Sequence, residues 1–292
     1  MSRALLPLPY LHLDVFAPRA YAGNSLAVFL QSDGLDTAQM QAITRELRHF
    51  EATFLIPASA PGRFRARVFD LFEELPFAGH PIVGAAVALH HADGDAADRT
   101  WTLDLTERTV TVATHRIGDG YSASLDQGEA KFLSERSNRE EIASAFGLTP
   151  ADLDRDRPVA VVSTGLRYLI VPVRSAALAR AHIASDITGL VTDAGAQYAV
   201  LLDEAGLEIR HWNNDGVIED VATGSAAGTI GAYRLRYGGA RSGAAFILNQ
   251  GRFAGRPSQI EVEPHGTREA VHSVKVGGKV AIVGRGQLEV LP

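Results

Sequence analysis

The chain contains no cysteine. That excludes disulfide bridges, thiolate metal sites and any mechanism with a cysteine nucleophile or base. Positive charge gathered in one place is missing too. Lysine and arginine total 28 against 34 aspartates and glutamates, a net charge of −6, and they form no run. The arginines of "GRFRARVF" (62–69) alternate with apolar residues, as the solvated face of a strand does, so a nucleic-acid partner is disfavoured. No window approaches the ~18 consecutive apolar residues that a membrane helix needs. The opening "MSRALLPLPYLHLDVF" also lacks the long apolar core of a secretory signal. The expectation is a cytoplasmic protein with neither nucleic-acid nor membrane partners.

What is present is ample material for a core. With 292 residues, 46% hydrophobic and 21% charged, the chain exceeds the usual ~100–200 residues per domain, so two domains are expected. Short strand-like segments dominate, among them "LHLDVF", "SLAVFL", "WTLDL", "TVTVAT", "RYLIVPV", "QYAVLL", "SQIEVE" and "KVAIVG". In "RFRARVF" Phe64, Ala66 and Val68 share one face and the arginines the other. Many short strands with few long helices predict an α+β fold of curved antiparallel, barrel-like sheets rather than a doubly wound parallel sheet.

Few helices are expected. Asp36 is placed to cap one in which Met40, Ile43 and Leu47 share a face, and "SNREEIASAFG" sets Ser137 and Glu140 in capping-box register with Gly147 as the stop. Two further helices, "HPIVGAAVALHHA" and "SAAGTIGAYRL", are apolar or small on every side and are therefore expected to be buried on every side, each filling the middle of its own sheet. They align without a gap: Glu74 matches Glu219, Gly79 matches Gly224, and His80 matches Ser225. An internal duplication is expected, the alternative being chance similarity, with the division in the polar stretch "SLDQGEAKFLSERS" (124–137). The domains are taken as 1–126 and 127–278, with the last strand, 279–292, returning to the first.

Each glycine turn opens a helix, where unpaired N–H groups and the helix dipole favour an anion, and Gly79 or Gly224 admits close approach to the backbone. Two such turns serving one cleft would hold a small carboxylate; the alternative for each is mere tight packing of strand on helix. Asp220 and Glu219 lie just ahead of the second turn, with Thr223 and Ser225 flanking Gly224. His80 follows Gly79 and offers a hydrogen-bond donor or proton shuttle, against a purely capping role. Glu51, in "RHFEATFLIP" between Phe50 and Phe54, is either a general base in apolar surroundings or a solvated glutamate at a helix end; periodicity alone does not decide. Nothing calls for a metal or a nucleotide. "HADGDAAD" lacks the pattern of a calcium loop, His90-His91 lacks the i, i+4 spacing of paired ligands, and neither a G-x-S-x-G elbow nor a dinucleotide or Walker glycine motif is present.

Five segments, "DVFAPRAYAGNSLAVFL" (14–30), "EATF" (51–54), "FAGHPIVGAA" (77–86), "EDVATGSAAG" (219–228) and "NQGRFAGRPSQIEVE" (249–263), resemble the PhzF-like family of phenazine-biosynthesis isomerases, related in fold to diaminopimelate epimerase. The resemblance spans nearly the whole chain. It implies two similar domains, each a barrel-like sheet around a central helix with the active site between them, and a cofactor-free, commonly homodimeric proton-shift enzyme acting on a small carboxylate-bearing substrate. By the same resemblance Glu51 moves the proton, His80 and Asp220 orient the substrate, and the amides around Gly79-His80 and Gly224-Ser225 hold its carboxylate. Thiols of the epimerase relatives are replaced by His80 and Ser225, excluding a two-thiol mechanism. Phe50, after His49, stands where the family often has serine; this makes the surroundings of Glu51 bulkier and points away from the phenazine precursor. Two other functions fit: an epimerase or racemase with Glu51 and Asp220 as opposed bases, and a small-acid-binding protein without turnover.

Overall fold

The structure, a computed structural model, describes residues 7–94, 97–118 and 120–292. The first six residues and Asp95, part of the aspartate run considered above, lie outside it. The chain divides into two compact units, residues 1–126 with 277–292, and residues 127–276.

In the first unit the order is β1 (Leu8–Val15), β2 (Asn24–Phe29), α1 (Thr37–Leu47), β3 (Glu51–Pro57), β4 (Arg63–Asp70), β5 (Glu74–Leu75), α2 (Gly79–Asp93), β6 (Asp98–Asp104), β7 (Thr109–Ile117) and β8 (Gly120–Asp126). The second unit continues with β9 (Lys131–Arg136), α3 (Arg139–Ala145), β10 (Val159–Ser163), β11 (Arg167–Val173), α4 (Ser175–Leu178), α5 (Thr188–Ala194), β12 (Tyr198–Asp203), β13 (Glu208–Trp212), β14 (Glu219–Asp220), α6 (Gly224–Tyr237), β15 (Phe246–Gln250) and β16 (Ser258–Gly266). A long final strand, β17 (Val271–Leu288), starts in the second unit and ends in the first.

The first unit closes on itself. Its pairings run β1–β2 antiparallel, β2–β3 parallel, β3–β4 antiparallel, β4–β6 parallel, then β6–β7 and β7–β8 antiparallel; β17 joins β8 to β1. Inside this ring runs α2, touching β1, β2, β3, β4, β6, β7 and β8. Every residue from His80 to His90 is buried, which is what its all-round apolar sequence demands. Gly84 is where helix and wall come closest: a Cβ there would sit 2.4 Å from Leu26 Cδ2 and 2.9 Å from Val15 Cγ2. Gly23, at φ +64°, makes the turn into β2, where a Cβ would meet Val15 O at 2.3 Å. On the outside α1 lays Met40 and Ile43 over Ala27, Phe29, Phe54 and Phe69. Its start is the capping box formed by Asp36 and Gln39.

The second unit repeats the plan: β10–β11 antiparallel, β11–β12 parallel, β12–β13 and β13–β14 antiparallel, β13–β15 parallel and β15–β16 antiparallel. Here α6 is the enclosed helix, packed on β16, β10 and β11. An outer cluster of Ile142, Phe146, Val171, Leu178, Val191 and Trp212 gathers α3, α4 and α5. One sequence expectation is corrected: Asn138, not Ser137, caps α3, accepting the Glu141 N–H at 3.4 Å. Among the described residues no helix is long and apolar enough to cross a membrane. Together these features give the α+β, two-fold repeated architecture of barrel-like sheets around central helices.

Candidate functional site

β3 begins at Glu51, paired in parallel with Leu26 of β2. Since Leu26 abuts α2 at Gly84, Glu51 is turned toward the same helix. Its Oε2 lies 2.9 Å from Nε2 of His80, the second residue of α2. The two side chains are 18% and 7% exposed, and neither of these buried atoms has an aligned hydrogen bond. Proximity, not a formed hydrogen bond, couples them. Asn24 Nδ2 donates to His80 Nδ1 at 3.3 Å, so in the neutral imidazole the proton sits on Nε2, beside the carboxylate. No side chain caps the start of α2 at Ala78, which leaves its first-turn amides for another acceptor.

The apolar flank expected around Glu51 is only partly there. Phe54 lies an odd number of residues away, on the opposite face of the strand, stacked on Phe29 at 4.8 Å in the cluster under α1. Phe50 is 41% exposed. His49 Nδ1 lies 2.8 Å from Ser25 Oγ. Arg67 is not solvated either: it makes a two-pronged contact with Glu74, at 2.8 and 2.5 Å, that ties β5 to β4 just ahead of the Gly79 turn. That hydrogen bond pushes the guanidinium above its usual range, against the opposing effect of burial.

In the second unit β14 carries Glu219 opposite Trp212 and Asp220 opposite His211. Glu219 grips Arg210 at 2.8 and 2.7 Å, repeating Arg67 and Glu74, and the aromatic two residues on repeats too: Arg67 lies over Phe69 at 5.1 Å and Arg210 over Trp212 at 4.4 Å. Asp220 is held at both oxygens. Thr223 Oγ1 donates to Oδ2 at 2.6 Å and the Ala222 N–H to Oδ1 at 3.2 Å. Thr223, although it is the N-cap residue of α6, makes no side-chain cap, because its hydroxyl is committed to Asp220. Gly224 O accepts from Gln127 Nε2 at 2.8 Å, and Thr164 Oγ1 donates to the same side chain's Oε1 at 2.7 Å. Ser225 Oγ lies 2.7 Å from the Tyr168 hydroxyl. Burial pushes the Tyr168 phenol upward, opposed by that bond, so it stays protonated and available to donate. Tyr168, Tyr198 and His211 form a ring cluster with centroids 5.6–5.8 Å apart. His211 Nδ1 meets Ala199 O at 2.8 Å, and burial lowers its proton affinity despite the Asp220 charge and that bond.

Within the first unit the structure thus brings Glu51, His80 and Gly79 together; within the second it gathers Asp220, Thr223, Gly224 and Ser225. Among the described residues no group of three or more His, Asp or Glu side chains is disposed to hold a metal ion. Sequence reasoning missed Asn24, Gln127, Tyr168, His211 and Gln250. Asn24 and Gln250 stood inside recognised segments but carried no role. The other three reach the turns only through tertiary contacts that no local spacing reveals.

A model of the PhzC-PhzF family, described as phenazine biosynthesis-like protein, matches residues 13–286. The trans-2,3-dihydro-3-hydroxyanthranilate isomerase of Pseudomonas aeruginosa is 33% identical over 292 residues, spanning 95% of this chain and 98% of that protein. A solved structure of a predicted epimerase from Pseudomonas aeruginosa is 47% identical, with a TM-score of 0.90 over 97% of this chain and 99% of that one. A phenazine biosynthesis protein of the PhzF family from Bacillus anthracis shares the fold, with a TM-score of 0.83 at 22% identity over 98% and 100% of the two chains.

Proposed function

The chain belongs to the phenazine biosynthesis-like PhzC-PhzF family, and we propose that it is an isomerase in which Glu51 moves a proton between carbons of a small, carboxylate-bearing substrate. The observation that carries this reading is the contact of Glu51 with His80: a carboxylate oxygen and an imidazole N–H, both buried, 2.9 Å apart and without aligned hydrogen bonds. A carboxylate so placed can accept a proton from carbon and return it, while the imidazole steadies the charge that comes and goes. The uncapped first turn of α2, beside that pair, offers amides to the substrate carboxylate. Asp220 would accept from a hydroxyl or amino group and so orient it. The resemblance to the family in the motifs that hold Glu51, His80 and Asp220 supports these roles, and the substrate named for the isomerase from Pseudomonas aeruginosa gives a chemical class to begin with. The working form is read as a cytoplasmic homodimer, checked by sedimentation of the purified protein.

NMR in D₂O over a panel of unsaturated amino and hydroxy acids tests the reading. Wild type is expected to incorporate deuterium with double-bond migration, and Glu51→Gln to lose ~10²–10⁴-fold in rate; equal rates would end the assignment. A second reading, epimerisation, draws on the 47% identity to a predicted epimerase. It requires exchange at one stereocentre with the double bonds unmoved.

A further inference from the structure

Gln250 is 1% exposed and is the last residue of β15. Its side chain meets three partners. Oε1 accepts the Thr223 N–H at 2.8 Å. Nε2 donates to Asp220 O at 2.8 Å and to Thr223 Oγ1 at 2.9 Å. Two of these partners have no choice of role: a backbone N–H only donates and a carbonyl oxygen only accepts. The amide orientation of Gln250 is therefore fixed by the backbone. Consequently Thr223 Oγ1 must accept from Nε2, and its single proton goes to the other neighbour, Asp220 Oδ2, at 2.6 Å. The chain of donors has one direction, from Gln250 through Thr223 to Asp220. With the Ala222 N–H on Oδ1, both carboxylate oxygens are used as acceptors.

We infer that Gln250 is a positioning residue which, by setting the direction of the Thr223 hydroxyl, holds Asp220 as a hydrogen-bond-accepting carboxylate. This rests on the reading that Asp220 serves the substrate, and it deepens that reading. A carboxylate committed as acceptor orients an O–H or N–H of the substrate and is not a proton donor to it. Glu51, whose Oε2 has no hydrogen bond, is under no such commitment. The two acidic groups are thereby given different work by their neighbours.

The test reads Asp220 directly, in the full chain and without substrate. The ¹³Cγ resonance of Asp220, assigned by its loss in Asp220→Asn, is compared among variants at neutral pH, where it reports the hydrogen bonds that the carboxylate accepts. Gln250→Met keeps the length of the side chain and removes donor and acceptor. It should move the resonance from its native position, because the Thr223 hydroxyl is no longer aimed at Oδ2. Thr223→Val should do the same, Thr223→Ser should keep the native position, and the double variant Gln250→Met/Thr223→Val should shift no further than the larger single change. KM should rise several-fold with kcat held in Gln250→Met and Thr223→Val. If Gln250→Met folds poorly, the contrast between Thr223→Val and Thr223→Ser still decides. A native resonance in Gln250→Met or Thr223→Val overturns the inference, as do additive shifts in the double variant. If the resonances move as expected while Asp220→Asn retains full turnover, the inference about Gln250 stands and the role given to Asp220 in the reaction falls.

Discussion

Removing the carboxylate of Glu219 should cost the protein more than removing that of Glu74, although the two occupy the same place in the repeat. Both arginine partners are gripped by two prongs. The difference is in their surroundings. The side chains of Arg210 and Glu219 are 9% and 14% exposed, against 12% and 24% for Arg67 and Glu74. Arg210 is further enclosed by the rings of Trp212 and Phe253, each 4.4 Å away. Glu219→Ala leaves a buried cation without its counter-charge, a change that typically costs ~3–5 kcal/mol. Arg210 keeps its bonds to Leu178 O and Ala181 O, at 2.8 and 2.9 Å, so the lower end, about 3 kcal/mol, is expected. Glu74→Ala, where water reaches the vacated site and Thr37 still accepts from Arg67 at 2.9 Å, should cost about 1–2 kcal/mol. The two tryptophans allow each unit to be followed alone, since Trp101 lies in the first and Trp212 in the second. Urea unfolding by fluorescence, with Trp101→Phe as background for the second unit, gives the loss as a fall in midpoint at constant slope. Because Glu219 adjoins Asp220 in β14, turnover should fall as well in Glu219→Ala. A Glu219→Ala penalty equal to or smaller than that of Glu74→Ala would refute the reasoning.

Gly84→Ala should lose ~1–3 kcal/mol to overpacking against Leu26 and Val15 without change in the slope of urea unfolding; a neutral result would mean that the helix shifts freely inside its ring. Tyr168→Phe takes from Ser225 its hydroxyl partner, worth about 1 kcal/mol, and should appear as a several-fold rise in KM with kcat held, measured by steady-state kinetics. Stability should also decline in mild acid. His91, by burial and then the charges of Arg285 and Arg116, and His211, by burial, are both held below the usual imidazole range. The unfolded chain therefore binds protons first as pH falls through ~6.5, and unfolding is favoured progressively below that point while full stability holds above it. Denaturant midpoints measured across this range should fall on the acid side, and His91→Gln, which removes one of the two groups, should flatten the decline.

What the amino-acid pattern disclosed was whatever depends on spacing along the chain. The buried helices declared themselves by being apolar all round, and the match of Glu74 with Glu219 had a physical basis in the paired arginines, which spacing alone could not show. Alternation in β4 gave the right inward face, but the arginine side was read as uniformly solvated, and Arg67 is gripped by Glu74. Phe54 was misread in the same way: nearness in sequence suggested that it lined Glu51, whereas the period of two sends it to the other face. The α3 cap moved by one residue because Asn138 competes with Ser137 for the same role. Gln127, Tyr168 and His211 were beyond reach for a different reason. Each meets its turn through a sheet register and a helix packing that exist only once the unit has closed.

The duplication shows what each half kept and what it changed. Register sets Leu201 against Arg210 in one unit and Phe54 against Arg67 in the other, so Tyr198 stands where Glu51 does, Ser225 where His80 does, and Asp220 where Leu75 does. The scaffold residues were retained in kind: an arginine, an aromatic two places on, and the glutamate that grips the arginine. The residues with chemistry to offer were not. One half pairs a carboxylate with an imidazole; the other presents a phenol, an alcohol and an aspartate already engaged as an acceptor. Two opposed bases of equal standing would call for like groups in like settings. An unequal pair suits a single proton-moving carboxylate, and this is the physical ground for preferring the proposed isomerisation to two-base epimerisation.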